Sequence, residues 1–207
     1  MYLPKHFEQT DAAALATLMR EHPLALIVRH DDDGLAADPI PLEWDEASRT
    51  LRGHVARANR LWQRADGRPV LAVFGGPQAY VSPGWYPSKA ETHKVVPTWN
   101  YTIVQAHGTL QAVADAAWLR DLVGRLTDHH ETPRATPWSV DDAPPDYLSQ
   151  MIGAIVGIEI RVTRLTGKWK LSQNRSALDR EGVIVGMEGH GGEPAVVAAT
   201  MRAAARA

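Results

Sequence analysis

The chain has 207 residues, with 22 Lys and Arg against 24 Asp and Glu, nine His, no Cys and a formal charge of −2. That length suits one well-cored domain and is short for two full-sized ones. Without cysteine, disulfides, thiolate metal sites, iron–sulfur ligation and a thiol nucleophile are excluded, and the near-balanced charge supplies no global basic field for non-specific nucleic-acid binding. The opening residues Met1-Tyr2-Leu3-Pro4-Lys5-His6 are not a basic segment followed by an apolar run, and no apolar stretch nears membrane-spanning length. A cytoplasmic protein without a membrane partner is expected.

Thr10-Asp11 ahead of Leu15, Leu18 and Met19 predicts a capped amphipathic helix that Pro23 stops. Leu24 to Arg29 and Leu35 to Leu42 predict a hairpin turned at Asp33-Gly34, its second arm held at a sheet edge by Pro39 and Pro41. Thr50 to His54 reads as a strand, followed by a short helix carrying Leu61 and Trp62 and closed by Asp66-Gly67. Val70 to Phe74 reads as a buried strand broken by Gly75-Gly76-Pro77, with extended structure resuming at Ala79-Tyr80-Val81. Ser82 to Pro97 is expected as a polar loop. Trp99 to Val113 returns to a strand pattern, and Asp115 caps a helix with Leu119, Leu122, Val123 and Leu126 on one side. Glu131 to Pro145 is expected as loop. Val156, Ile158, Ile160 and Val162 alternate with Gly157, Glu159, Arg161 and Thr163, a half-buried strand ending near Gly167. Ser176 and Asp179 predict a capping-box helix start, and Gly189 to Pro194 precedes an Ala-rich terminal helix.

Six or so strands interrupted by short helices, without βαβ alternation, predict a mainly β protein: a closed or partly closed antiparallel barrel with peripheral helices. No G-x-G-x-x-G or G-x-x-x-x-G-K-[ST] follows a strand, so neither a dinucleotide fold nor a P-loop is supported. His129-His130 is adjacent rather than spaced as ligands, no H-E-x-x-H occurs, and His54, His93 and His107 lie on separate segments, so no metal site is expected. A G-x-S-x-G elbow is also missing.

What remains is the binding of a ready-made cofactor. Gly53 to Trp62 leads a strand into a helix start, where unpaired backbone N–H groups and the Arg57 guanidinium could hold a dianion; the competing reading is a surface arginine beside an Asn59 cap. Positive charge also gathers around Arg57, Arg60 and Arg64 and from Arg161 through Lys168, Lys170 and Arg175. Either cluster could equally be a solvated face. Val96-Pro97-Thr98-Trp99-Asn100-Tyr101 is dense in planar and hydrogen-bonding groups, suited to a flat ring and its polar edge, though a Trp at a strand start also serves as core or lid packing. In Gly167 to Arg175, Lys168 and Lys170 could neutralise phosphate, and Gln173 or Asn174 could address a ring edge or a polyol tail. The alternative there is a solvated lysine-rich turn. Ser82-Pro83-Gly84-Trp85-Tyr86 suits a pocket wall or subunit contact.

Taken in order, Met1-Tyr2-Leu3-Pro4 with Phe7, Gly53 to Asn59, Phe74-Gly75-Gly76-Pro77, Tyr80-Val81-Ser82-Pro83, Trp85-Tyr86, Val96 to Tyr101 and Lys170-Leu171-Ser172-Gln173-Asn174-Arg175 span most of the chain. Their joint order resembles the PaiB-like FMN-binding proteins, described as negative transcriptional regulators. Arg60 stands where that pattern has proline, and Gly84 where serine is commoner. The resemblance implies a split β-barrel of the pyridoxamine-phosphate-oxidase-like type, with residues 1–189 as one FMN-binding domain, 190–207 as a helical tail, and FMN held in a homodimer. It implies that Arg57 and Lys170 hold phosphate while His54, Trp99, Asn100, Gln173 and Asn174 surround the ring or its tail. Asn59, Thr98, Lys168 and Ser172, from the same segments, complete the expected cofactor-binding set.

Two functions follow from this resemblance. One is an FMN-dependent oxidoreductase using a small substrate or electron donor; no residue stands out as its acid or base, and a catalytic residue is not assigned. The other is a regulator whose DNA or protein contact depends on flavin. For that reading the lack of a helix-turn-helix pattern and of basic charge speaks against direct DNA binding.

Overall fold

The computed structural model describes residues 1–64 and 67–205. The predicted Asp66 turn and the Arg64 side chain of the first basic cluster lie outside the described residues.

In chain order the elements are β1 (Glu8–Gln9), α1 (Ala12–Glu21), β2 (Leu24–Asp31), β3 (Gly34–Pro41), β4 (Glu43–Asp45), β5 (Thr50–Ala56), β6 (Arg68–Val81), α2 (Lys89–Thr92), β7 (Thr98–Val113), α3 (Ala116–Glu131), α4 (Pro145–Gly153), β8 (Ile155–Lys170), α5 (Ala177–Glu188) and α6 (Gly192–Ala204). The sheet runs β3-β2-β6-β7-β8-β5-β4, with β1 paired to β8. The registers of β2 with β3 and β6, of β5 with β4 and β8, and of β1 with β8 are antiparallel. No described helix is long and apolar enough to cross a membrane.

The chain forms two compact units. Unit 1 is Met1–Leu18, Gly75–Val104 and Thr166–Ala207; unit 2 is Met19–Phe74 and Gln105–Leu165. In unit 2, β5 pairs with β8 from Thr50↔Arg161 to Ala56↔Ile155. The alternation expected at 156–162 is present: Val156, Ile158, Ile160 and Val162 are all buried. Helix α3 starts where Asp115 accepts a hydrogen bond from the Trp118 amide at 2.9 Å, satisfying one of the free N–H groups of the first turn. The β2–β3 hairpin turns at Gly34, whose φ of 112° a side chain would disfavour.

Unit 1 has a core of its own, in which Val81, Tyr86 and Leu171 meet Val183 and Met187 of α5 and Val197, Ala198 and Met201 of α6. Helix α5 is brought tight against the Pro83–Trp85 turn because Gly182 and Gly186 lack side chains. A Cβ at Gly186 would stand 2.5 Å from ring atoms of Trp85.

Four local expectations change. The predicted break at Gly75-Gly76-Pro77 is absent and β6 is one strand: Gly76 serves close packing, since a Cβ there would fall 2.2 Å from the Thr102 hydroxyl. Strand β8 continues past Gly167 to Lys170, because Gly167 admits β1, with Gln9 O 2.8 Å from where its Cβ would be. Ser176 caps α5 as predicted, its Oγ accepting from Asp179 N at 3.1 Å, but the Asp179 carboxylate does not take the Ser176 amide, as a full capping box would require. It accepts instead from Ser88 N at 3.1 Å and Ser88 Oγ at 2.9 Å. The 82–97 segment contains a helical turn at Pro83–Trp85 and the short α2. Helix α4, too short to show more than two turns of pattern, had no counterpart in the sequence reading.

Candidate functional site

The densest group of predicted site residues lies in unit 1, where the start of β7 meets the end of β8. Lys170 Nζ donates to the Thr98 hydroxyl and the Trp99 carbonyl. Burial, with the nearby charges of Lys168 and Arg175, holds its pKa below the ordinary lysine value. Lys168 is only 7% exposed, donates to Tyr2 O at 3.1 Å, and lies 5.3 Å from the Tyr101 ring centroid and 5.8 Å from that of Tyr2. Neither lysine has a carboxylate partner among the described residues, so the two ammonium groups raise a local positive potential, to which Arg175 adds although the Asp179 carboxylate lies within its electrostatic reach.

Beside this cation group Trp99 and Tyr80 are 52% and 48% exposed, with ring centroids 6.3 Å apart at 75°. Two large aromatic faces left in solvent next to unpaired cations can cover a planar group that carries an anionic tail.

Other members of the expected set are placed differently. Asn100, at 0% exposure, faces the interior: its Nδ2 donates to Ser172 Oγ at 3.0 Å and Met201 Sδ at 3.3 Å, and its Oδ1 accepts from Ser172 Oγ at 3.1 Å. Alternation along β7 explains this, since Trp99 and Asn100 must face opposite sides. Gln173 closes a turn on itself, accepting from Leu171 N at 2.7 Å and donating to Trp169 O at 2.6 Å. Asn174 is exposed. Asn100, Ser172 and Gln173 thus organise the end of β8, and their polar atoms are spent within the protein.

His54, Arg57 and Asn59 belong to unit 2. The Arg57 guanidinium donates through Nε to Gly153 O at 2.8 Å and through Nη2 to Ile155 O at 3.1 Å, closing the C-terminal end of α4. Asn59 accepts from Leu61 N at 2.7 Å in a local turn and donates to Asp38 Oδ1 at 3.1 Å. His54 is half-buried, and its Nδ1 has no hydrogen-bond partner among the described residues. Tyr80 and Tyr2 stand in segments that carry the family resemblance but are not among the expected site residues; the ring contacts of Tyr80 with Trp99 and of Tyr2 with the Lys168 ammonium group arise only in the fold.

Compared with protein families, residues 1–164 match the one described as "Putative FMN-binding domain". The chain belongs to this FMN-binding family. An Aspergillus fumigatus protein is 38% identical over 177 residues, covering 70% of this chain and 68% of its own. Protease synthase and sporulation protein PAI 2 of Bacillus subtilis is 30% identical over 187 residues, 89% of this chain and 87% of its own, in keeping with the PaiB-like resemblance. Among solved structures, the flavocytochrome Anf3 of Azotobacter vinelandii matches with a TM-score of 0.62 at 13% identity, over 81% of this chain and 72% of that one. The fold is the split β-barrel of flavoproteins, a mostly antiparallel sheet with peripheral helices. FMN is the cofactor of the family, and unit 1 fits it chemically: unpaired cations for a phosphate dianion stand beside exposed aromatic faces for a ring.

Proposed function

We propose that this protein is an FMN-dependent oxidoreductase acting on a small substrate. The observation that carries this reading is Lys170, a partly desolvated ammonium group without a carboxylate partner among the described residues, anchored on the first two residues of β7 beside the exposed Trp99 ring. Lys168, Lys170 and Arg175 would hold the phosphate, and Trp99 with Tyr80 would cover the ring. Bound FMN supplies hydride or electron exchange. The side chains contribute binding, orientation and exclusion of water from the ring face. No side chain in the group is placed as an acid or base, so the protein's part is to hold the cofactor and admit a donor and an acceptor in turn.

A homodimer accompanies this reading. On unit 2, Leu24 and Leu26 of β2 are exposed on one sheet face, with Pro41 and Pro39 as their partners in β3, and Leu35 stands exposed in the same hairpin. A contiguous apolar sheet face of this kind is what a second copy would cover by two-fold symmetry.

The relationship to PAI 2, named for protease synthesis and sporulation, supports a second reading in which flavin occupancy controls a contact with DNA or a protein partner. The tests separate the two. The purified protein should be yellow and release FMN on denaturation, identified by mass, and anaerobic NADH or NADPH should bleach it faster than free FMN. A yellow protein that neither donor reduces, but that shifts its own promoter in a gel at near-physiological salt with competitor DNA, would replace the first reading by the second.

A further inference from the structure

Within unit 2 a recess of 330 Å³ opens where β5 faces α3, lined by Pro41, His54, Val123, Leu126, His130 and Trp138 among others. Its volume lies at the small end of ligand pockets, which run from about 300 to about 1,000 Å³. Four of those walls are apolar. The mouth is a built structure: Glu131 at the end of α3 accepts from Trp138 N at 3.2 Å through one carboxylate oxygen and pairs with Arg134 Nε at 3.0 Å through the other. That carboxylate is therefore committed to holding the loop that carries Trp138, whose indole remains 48% exposed.

His54 brings the polar element. Its Nδ1 is buried and has no partner among the described residues, a condition that buried polar atoms in native proteins seldom show without a reason. Burial also holds the imidazole pKa below its ordinary value, so the ring is neutral and can donate or accept according to tautomer. Rotation of the ring about χ2 exchanges the Nδ1 and Cδ2 edges, which lets the nitrogen turn toward an occupant. The chemistry of such an occupant is narrow. The Glu131 carboxylate at the mouth is already paired with Arg134 and the Trp138 amide, so what is offered is flat apolar cover with hydrogen-bonding groups of His54, Thr127 and His130 at its edge.

We propose that this recess is a binding site for a small, flat, uncharged aromatic compound bearing one hydroxyl or ring N–H, of the phenol or indole class, covered by Leu126 and Trp138 and hydrogen-bonded to His54. It uses none of the cation group assigned to FMN and stands or falls independently of that assignment.

The test uses the full chain as purified, with phenol and indole as probes, followed by calorimetry and by the ring-nitrogen resonances of ¹⁵N-histidine-labelled protein. Saturable binding that moves one histidine's ring nitrogens is expected. Leu126→Trp, which fills the recess, should abolish binding, and His54→Phe should weaken phenol about tenfold, the order of one lost hydrogen bond. If Leu126→Trp does not fold, Val123→Phe fills the same space and should act alike. FMN content should be unchanged in the filling variants. Absence of saturable binding, or equal affinity in His54→Phe and in whichever filling variant folds, would overturn the proposal. A colourless preparation that still binds phenol would remove the FMN reading alone.

Discussion

Lys170 and Thr98 lie 72 residues apart in the chain and are hydrogen-bonded across the neighbouring strands β8 and β7. The same ammonium group also takes the Trp99 carbonyl, so the residue that offers charge fixes the backbone that offers an aromatic face.

Removing that charge should therefore affect cofactor retention more than folding. Lys170→Met is expected to raise the FMN dissociation constant about tenfold or more, the usual worth of a charge-assisted contact to phosphate. Flavin fluorescence quenching at fixed ionic strength reads it, and an unchanged constant would clear Lys170 of the role.

The depressed pKa of Lys170 has a direction that can be checked. Phosphate binding requires the protonated amine, so affinity should begin to fall with rising pH below the ordinary lysine value of 10.5. Lys170→Arg stays charged throughout this range and should flatten the alkaline limb. Titration of FMN across the range in both proteins compares them, and a parallel decline would assign the limb to another group.

His54 makes acid stability the second pH test. Its folded pKa lies below the ordinary 6.5, so between the two values the unfolded chain binds more protons. Stability then rises with pH through that window and is lost on acidification below about 6.5. In His54→Gln the difference in urea midpoint between about pH 5 and about pH 8 should shrink relative to the parent; the same difference in both proteins would rule His54 out.

Gly186→Ala should destabilise unit 1 by about 1–3 kcal/mol, because the new methyl overlaps the Trp85 indole. The gain in helix propensity, about 1 kcal/mol, offsets only part of this. Trp85→Leu in the same chain should recover some of the loss. Denaturant midpoints of the two single variants and the double variant settle the matter.

Asn100→Leu leaves the Ser172 hydroxyl buried without its partner, at a cost of about 1–3 kcal/mol. A thermal midpoint equal to that of the parent would show that the pair contributes nothing.

Elements with a dense local signal were legible in the sequence: the Asp115 cap, the Gly34 hairpin and the alternation from Val156 to Val162 all describe the folded chain. The misreadings share a cause. Gly76 and Gly167 looked like punctuation, yet each is small because another part of the chain passes close by, and close passage is a tertiary fact that no window of sequence contains. The same holds for the site. Lys168, Lys170, Thr98 and Trp99 could be named from their types, but whether Asn100 or Gln173 offered its amide to a ligand depended on strand facing and on Ser172, Met201, Leu171 and Trp169. Arg57 is the clearest case, since the carbonyls it meets are those of Gly153, at the end of α4, and Ile155, at the start of β8, and α4 is a helix the sequence pattern did not announce.

Ser172 carries a consequence for how this chain tolerates change. Its φ of 63° is a left-handed conformation that costs an ordinary residue about 1–2 kcal/mol, and glycine would relieve that while surrendering the hydroxyl that Asn100 holds at 3.0 Å. The two effects oppose each other at similar size, so drift to glycine here could pass almost unnoticed in a melting curve. It would nevertheless unlock the neighbouring amide, and a position neutral by stability would become the first step toward a rearranged interior.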